Sequence, residues 1–185
     1  MGRNAVILHG TGETDGSFWL PYIKKDLEAK GYFVSIPLLP DAGNPRLSNW
    51  LPVALKEAYT KDTVLIGHSA GCPLALSVLE RLDSGIKQAI LVSGYARKLG
   101  ASTGPGEDPI LQGRYDWGRI GRNVTDLVLL NSDNDPWGCN DIEGRHILDS
   151  IGKGKLIVMK GEGHMGSDRF KQPYREFPFL AKLID

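Results

Sequence analysis

Short apolar runs alternate with amphipathic stretches along most of the 185-residue chain, and this alternation limits the fold more than any other feature. The apolar runs lack the alternation of apolar and polar residues that half-buried strands show, so we expect strands that are buried on both faces. Strands that are separated by helices need crossover connections, which produce a parallel sheet. The sequence predicts one α/β domain over residues 1–185, a three-layer α/β/α sandwich with a mostly parallel sheet of about six strands.

Two segments are harder to assign from the pattern. Residues 95–123 are rich in glycine, carry two prolines and show no clear period, so we expect an irregular insertion. Such an insertion either shapes or covers a site, or is a surface loop without ligand contacts. At the other end, PYREFPFLAKLI is predicted to be a closing helix, bent at Pro178.

Composition excludes several classes of partner. Lys plus Arg equals Asp plus Glu, so the formal net charge is zero and no general attraction to nucleic acid or acidic membranes is expected. No apolar run approaches the roughly 20 residues of a membrane helix, and the first residues do not form a secretory signal. We therefore expect a cytoplasmic protein, with no protein partner indicated. Cys72 and Cys139 are expected to be free thiols, and without paired ligand spacing no metal or cofactor is expected.

The segment GHSAG, residues 67–71, follows the third predicted strand and precedes an amphipathic helix. This is the G-x-S-x-G nucleophile elbow in its required strand–turn–helix setting. The sharp turn pushes the serine hydroxyl out of the sheet, and the two glycines let strand and helix pass closely. Ser69 is therefore the predicted nucleophile.

A serine hydroxyl needs a base, and the chain has only four histidines. His68 lies inside the elbow, with its side chain expected to point away from Ser69. His146 lies within a predicted helix, and His9 ends the first strand. His164 lies in KGEGHMG, a glycine-flanked loop after the last strand, which suits a group that moves protons. His164 is the predicted general base.

The base needs a carboxylate that holds its tautomer and stabilises the imidazolium. The segment SDNDPWG follows the fifth strand and offers Asp133 and Asp135. Asp135 is favoured because Pro136 stiffens its loop; an Asx turn is the alternative role for either aspartate. The resulting order of serine, aspartate and histidine is that of α/β-hydrolases.

The glycine-rich segment HGTGETDG after the first strand does not match a phosphate-binding loop, because no lysine follows it and its glycines are spaced differently. An acyl-transfer site instead needs backbone donors for an oxyanion. The N–H groups of Ala70 and Thr11 are the predicted donors, with Gly12 as the second choice for the latter. His9 is expected to brace this loop.

The predicted substrate contacts are His68, beside the nucleophile, and Trp137, beside Asp135. Trp117 is a weaker candidate for an apolar acyl pocket. Trp19 and Trp50 recur at helical core spacing and are expected to be buried.

The sequence resembles the small α/β-hydrolases grouped with retinoblastoma-binding protein 9 and the bacterial YdeN-type serine hydrolases. The resemblance extends from near the start of the chain to His164, whereas residues 95–123 have no confident match. The matching segments are HGTGETDGSFWLPYIKKDLEAKGYFV, NPRLSNWLPVAL, TVLIGHSAGCPLAL, NSDNDPW and GEGHMG. The resemblance implies a triad of Ser69, Asp135 and His164 and hydrolysis of small esters or amides.

Together these features predict a cofactor-independent serine hydrolase that cleaves small carboxylic esters through an acyl-enzyme. Two alternatives stay open: a serine peptidase or amidase acting on small substrates, and a catalytically silent module that keeps the fold and binds a protein.

Overall fold

Six parallel strands form one sheet. The computed structural model describes residues 2–100 and 108–184. The strands are β1 (Asn4–Leu8), β2 (Phe33–Ser35), β3 (Val64–His68), β4 (Ile86–Val92), β5 (Val124–Ser132) and β6 (Lys155–Met159). They lie in the order β2-β1-β3-β4-β5-β6. Because all pairs are parallel, the carboxyl ends of β1, β3, β5 and β6 lie at the same edge of the sheet.

Six helices within the described residues cover the two faces of the sheet. The helices are α1 (Leu20–Ala29), α2 (Leu47–Ala54), α3 (Gly71–Arg81), α4 (Trp117–Arg122), α5 (Asp141–Ile151) and α6 (Pro178–Lys182). Buried residues of α1 and α6 pack on one face, and those of the other four helices pack on the opposite face. The predicted three-layer sandwich is confirmed.

Successive residues of one strand enter different cores, which explains the uninterrupted apolar runs. In β1, Ala5 and Ile7 pack with α1, whereas Val6 and Leu8 pack with α3. All four residues are buried, with 0–1% of their surface exposed. A strand that is buried on both faces has no position where a polar residue would be favoured.

The structure differs from the sequence prediction in residues 95–123. This segment contains the short helix α4, and its Ile110 is fully buried in the core beside α3. Tyr95 and Tyr115 are also buried there. The described parts of the segment are therefore anchored by apolar packing, and residues 101–107 lie outside the described residues.

The closing helix is shorter than predicted. It begins at Pro178, the first turn of α6, instead of bending there. Phe177 precedes it with a non-helical backbone (φ −141°, ψ 68°), and Tyr174 has a positive φ of 37°, so the helical run does not extend backwards. Proline at a first helical position loses no hydrogen bond, which explains this start.

Candidate active site

A cavity of about 470 Å³ opens at the carboxyl edge of the sheet. Thr11, Ser69, Trp137 and His164 line it, so four predicted site residues from four different loops meet there. Apolar and aromatic side chains supply much of the remaining wall, including Phe18, Tyr95 and Leu99. A concave, mostly apolar site with a few convergent polar groups is typical of small-molecule binding.

The nucleophile elbow has the strained backbone that its motif predicts. Ser69 has a φ of 51°, in the left-handed region that non-glycine residues rarely adopt. A Cβ on Gly67 would lie 2.8 Å from the Gly71 carbonyl oxygen, and a Cβ on Gly71 would lie 2.1 Å from the Leu8 carbonyl oxygen. Both glycines are therefore required by close backbone packing, and the turn leaves Ser69 half-buried at the cavity wall.

His164 and Asp135 form a buried hydrogen-bonded pair. The distance from His164 Nδ1 to Asp135 Oδ2 is 2.7 Å, and the other Asp135 oxygen accepts the Trp137 N–H at 2.8 Å. Of the two aspartates that the sequence offered, the structure places Asp135 on the histidine. Asp133 instead accepts the N–H of Gly161 at 2.8 Å.

The acid loop (residues 132–137) clasps the base loop (residues 160–167). Three consecutive N–H groups of the base loop donate to three consecutive side chains of the acid loop, which fixes one backbone against the other. The bonds are Gly161 N to Asp133 Oδ1 (2.8 Å), Glu162 N to Ser132 Oγ (3.0 Å) and Gly163 N to Asn134 Oδ1 (2.8 Å). Gln172 Oε1 accepts the next N–H, that of His164, at 2.9 Å.

The surroundings of His164 favour its neutral form. Burial lowers the pKa of its imidazole, and the positive charge of His68 lowers it further, whereas the bond to Asp135 opposes both. The resulting pKa lies below the ordinary value of 6.5. Within the described residues no hydrogen bond joins Ser69 to His164, although both line the cavity. Such bonds are often long before substrate binds.

The oxyanion loop (residues 9–17) lies beside the elbow. In the described part of the chain, the N–H groups of Thr11 and Ala70 donate to no protein acceptor. Gly12, the second choice from the sequence, already donates its N–H to the Ala42 carbonyl at 2.7 Å. The arrangement therefore favours Thr11 over Gly12 as the second oxyanion donor. His9 accepts the Leu39 N–H at 3.4 Å, which fits the bracing role expected of it.

His68 differs from its expected role as a substrate contact. Its side chain is fully buried and does not line the cavity, because its Nδ1 lies 2.7 Å from Glu13 Oε1 and its Nε2 lies 3.1 Å from the His164 carbonyl oxygen. Trp137 does line the cavity. Trp19 and Trp50 are fully buried, as their spacing predicted, and Trp117 contacts Tyr115 away from the cavity.

Glu13 is the polar residue of this site that sequence reasoning missed. It is 5% exposed, and its two oxygens contact His68 and the N–H of Gly10, the latter at 2.9 Å. The available signal was an acidic residue in the oxyanion loop together with a histidine inside the elbow. Two loops that flank one nucleophile bring such residues together.

Cys139 adds a thiol to the acid–base pair. One potential ligand atom from each of Asp135, Cys139 and His164 lies within 4.8 Å of the other two. Zinc prefers a deprotonated thiolate, but burial raises the pKa of the Cys139 thiol well above its ordinary value. The carboxylate and imidazole also bond directly to each other. The cluster therefore favours acid–base chemistry over metal binding.

Comparison with known proteins agrees with this geometry. The serine hydrolase family model matches residues 5–183. The chain is 32% identical over 139 residues to the Bacillus subtilis protein described as "Putative hydrolase YdeN", covering 73% of this chain and 72% of that protein. The chain belongs to the serine hydrolase family. The expected membership among YdeN-type serine hydrolases is thereby confirmed.

Solved structures match this serine hydrolase over almost the whole chain. The crystal structure of the ydeN gene product from B. subtilis matches with a TM-score of 0.86 and 26% identity, over 98% of this chain and 96% of that chain. Est1E from Butyrivibrio proteoclasticus, with ferulic acid bound, matches with a TM-score of 0.67 and 14% identity, over 98% and 86% of the two chains. The second match supports the α/β-hydrolase fold alone.

Membrane association was not expected for this serine hydrolase. In residues 2–100 and 108–184, every helix is too short or too polar to cross a bilayer.

Proposed function

We propose that this serine hydrolase cleaves small carboxylic esters through an acyl-enzyme on Ser69. The observation that carries the proposal is the convergence on one cavity of an elbow serine, a histidine–aspartate pair and two backbone N–H groups without protein acceptors. These are the parts that acyl transfer needs, namely a nucleophile, an oriented base and an oxyanion site.

In the first half-reaction, Ser69 Oγ attacks the acyl carbonyl carbon while His164 Nε2 takes the hydroxyl proton. The Thr11 and Ala70 N–H groups hold the negative oxygen of the tetrahedral intermediate. His164 then gives its proton to the leaving alcohol oxygen as the carbon–oxygen bond breaks. In the second half, water attacks the acyl-enzyme with His164 again as base, which releases the acid and restores Ser69.

Asp135 supports both halves without itself moving a proton. Its 2.7 Å contact with Nδ1 leaves Nε2 as the nitrogen available to the cavity. It also stabilises the imidazolium that forms each time His164 accepts a proton. The lowered pKa of His164 keeps the base unprotonated near neutral pH, before the reaction begins.

The cavity supports a small substrate. A volume of about 470 Å³ lies near the lower end of ligand pockets. Phe18, Leu99 and Trp137 give the wall an apolar character that suits a hydrocarbon acyl group. A carboxylic ester of this size would bury its acyl chain against this apolar wall, and its alcohol would depart as a neutral leaving group.

The test is labelling of the purified protein with a fluorophosphonate, followed by peptide mapping. We expect one adduct, on Ser69, that is absent from Ser69→Ala and from heat-denatured protein. Ser17→Ala is the matched control, because Ser17 also lines the cavity but lies outside the elbow. An unlabelled but folded wild-type protein would contradict the proposal and favour a silent binding module.

A second measurement separates esterase from amidase. Matched p-nitrophenyl esters and p-nitroanilides of the same short acids are compared on unlabelled wild-type enzyme. We expect turnover of the esters to exceed that of the anilides by orders of magnitude. Equal turnover would favour the amidase alternative.

A further inference from the structure

A second histidine–carboxylate pair lies at the wall of the cavity, which Glu13 lines and His68 does not. Glu13 Oε1 is 2.7 Å from His68 Nδ1, and the side chains of Glu13 and His68 are 5% and 0% exposed. Neither residue reacts in the mechanism above. Burying a polar pair costs free energy unless its polar atoms have hydrogen-bond partners. The residues that bond to Glu13 and His68 therefore indicate what the pair does.

The partners of this pair are two loops of the active site. Glu13 Oε2 accepts the N–H of Gly10, the residue before the proposed oxyanion donor Thr11, at 2.9 Å. His68 Nε2 lies 3.1 Å from the backbone carbonyl of His164, which also accepts the Ser93 hydroxyl at 2.9 Å. One pair thus joins the oxyanion loop to the base loop.

The hydrogen bonds also constrain the charge of the pair. A carbonyl oxygen can only accept, so His68 Nε2 carries a proton. The Gly10 N–H on Glu13 favours the carboxylate form, which makes Nδ1 a donor as well. Burial opposes both charges, but the mutual attraction raises the pKa of His68 and lowers that of Glu13. The pair is therefore an imidazolium and a carboxylate.

The imidazolium lies close to the proposed base. The ring centroids of His68 and His164 are 5.2 Å apart. Asp135 and Glu13 carry the carboxylates that raise the pKa of His164, and burial holds the nearby Cys139 thiol neutral. Asp108, Asp168 and Arg169 line the same cavity. Among the groups that shift the pKa of His164, His68 is the one whose charge opposes its protonation.

We propose that Glu13 and His68 form a positioning pair, in which buried opposite charges lock the oxyanion loop to the base loop and keep His164 neutral. This inference rests on the proposed role of His164 as base. The pair acts through the backbone of the two loops and through its electric field. The oxyanion loop is also held by His9 and by the bond from the Gly12 N–H to the Ala42 carbonyl, but Thr11 itself is exposed.

The first test concerns the charge and needs no activity. Long-range ¹H–¹⁵N spectra of the wild-type protein report the protonation of each ring nitrogen. We expect both nitrogens of His68 to stay protonated between pH 6 and 8, roughly the range in which an ordinary histidine becomes neutral. A His68 that is neutral at pH 7 would overturn the proposal, even if esterase activity is present.

The second test concerns the base and uses the pH dependence of kcat/KM. His68→Gln removes the charge but keeps an amide that can donate to the His164 carbonyl. We expect its acidic limb to move to higher pH by on the order of one unit, with kcat reduced 10- to 100-fold and KM changed little. Glu13→Gln, as the second variant, is expected to reduce kcat similarly and to allow His68 to titrate.

His9→Gln is the matched control, because His9 is also a buried histidine, at the start of the oxyanion loop, but has no carboxylate partner within the described residues. Its acidic limb should stay where the wild-type limb is, whatever its rate. A folded His68→Gln protein with an unmoved limb would overturn the proposal. Absence of fluorophosphonate labelling in the wild type would instead overturn the proposed function, while the spectra would still decide the charge.

Discussion

Two buried histidine–carboxylate pairs in this serine hydrolase have the same contact distance, but the pKa values of their histidines are shifted in opposite directions. Asp135 to His164 and Glu13 to His68 are each 2.7 Å from oxygen to Nδ1. Yet the pKa of His164 is lowered and that of His68 is raised. The contact with a carboxylate therefore does not determine the charge of a buried histidine.

The difference lies at the opposite nitrogen and in the neighbouring charge. His68 Nε2 lies against a carbonyl oxygen, which can only accept a hydrogen bond, so this nitrogen keeps its proton. His164 instead lines the cavity, where its Nε2 can gain and lose a proton. Once His68 is charged, a second imidazolium 5.2 Å away is disfavoured. One pair is thereby fixed and structural, and the other is left free to exchange protons.

Breaking the exchangeable pair should have the largest effect on rate. His164→Gln removes the base and leaves Glu13 and His68 in place, so kcat for a short ester should fall by roughly 10³- to 10⁶-fold. Steady-state assays measure this, with circular dichroism to check the fold. A loss of less than about tenfold would assign the base to another group.

Asp135→Asn should have the next largest effect, because the amide favours the wrong tautomer of His164. We expect kcat to fall by about 10³- to 10⁴-fold. Asp133→Asn is the matched control from the same loop. It loses one charge next to the Gly161 N–H and should retain activity within roughly tenfold. Equal losses in the two variants would contradict the assignment of Asp135.

The fixed pair of Glu13 and His68 should contribute more to the free energy of unfolding than any single ion pair on the surface does. Glu13→Gln leaves a buried imidazolium without its counter-charge, which should cost about 3–5 kcal/mol of unfolding free energy. Urea unfolding measures this loss. The exposed pair Lys24 and Glu28, 4.0 Å apart, is the control, and Glu28→Gln should cost less than about 1 kcal/mol.

That stability contribution should depend on pH in a definite direction. The folded-state pKa of His68 is raised, so its contribution is complete below about 6.5 and is lost as pH rises through the folded value. The pKa of Glu13 is lowered, so its contribution is lost as pH falls below about 4.5. The difference in unfolding free energy between the wild type and a Glu13→Gln, His68→Gln double variant should be greatest between these limits. An unchanged difference from pH 5 to 10 would contradict the charged state.

The smallest expected effect is a shift in the position of the acidic limb in the pH profile of the wild-type enzyme. Because burial and His68 lower the pKa of His164, the acidic limb of kcat/KM should lie below pH 6.5. Activity is lost as pH falls through that value, since the base becomes protonated. A limb above pH 7 would mean that the carboxylates outweigh His68.

Local patterns predicted the strands, the elbow and the loops that carry Asp135 and His164, because each depends on a few consecutive residues and on where a strand ends. Two features depend on contacts between distant segments and could not be predicted in this way. Glu13 and His68 meet across 55 positions, and α4 packs against α3 and α5. The start of α6 at Pro178 depends instead on the non-helical backbone just before it, which the apolar pattern does not report.

The clasp between the acid and base loops also bears on how this enzyme can change. All three clasp bonds connect residues 132–134 with residues 161–163, while Tyr95 and Leu99 on the cavity wall belong to neither loop. Substitutions at these wall positions would change the pocket while the three bonds between the acid loop and the base loop stay in place. Laboratory evolution for new acyl groups is best directed there, because these wall residues lie outside both loops.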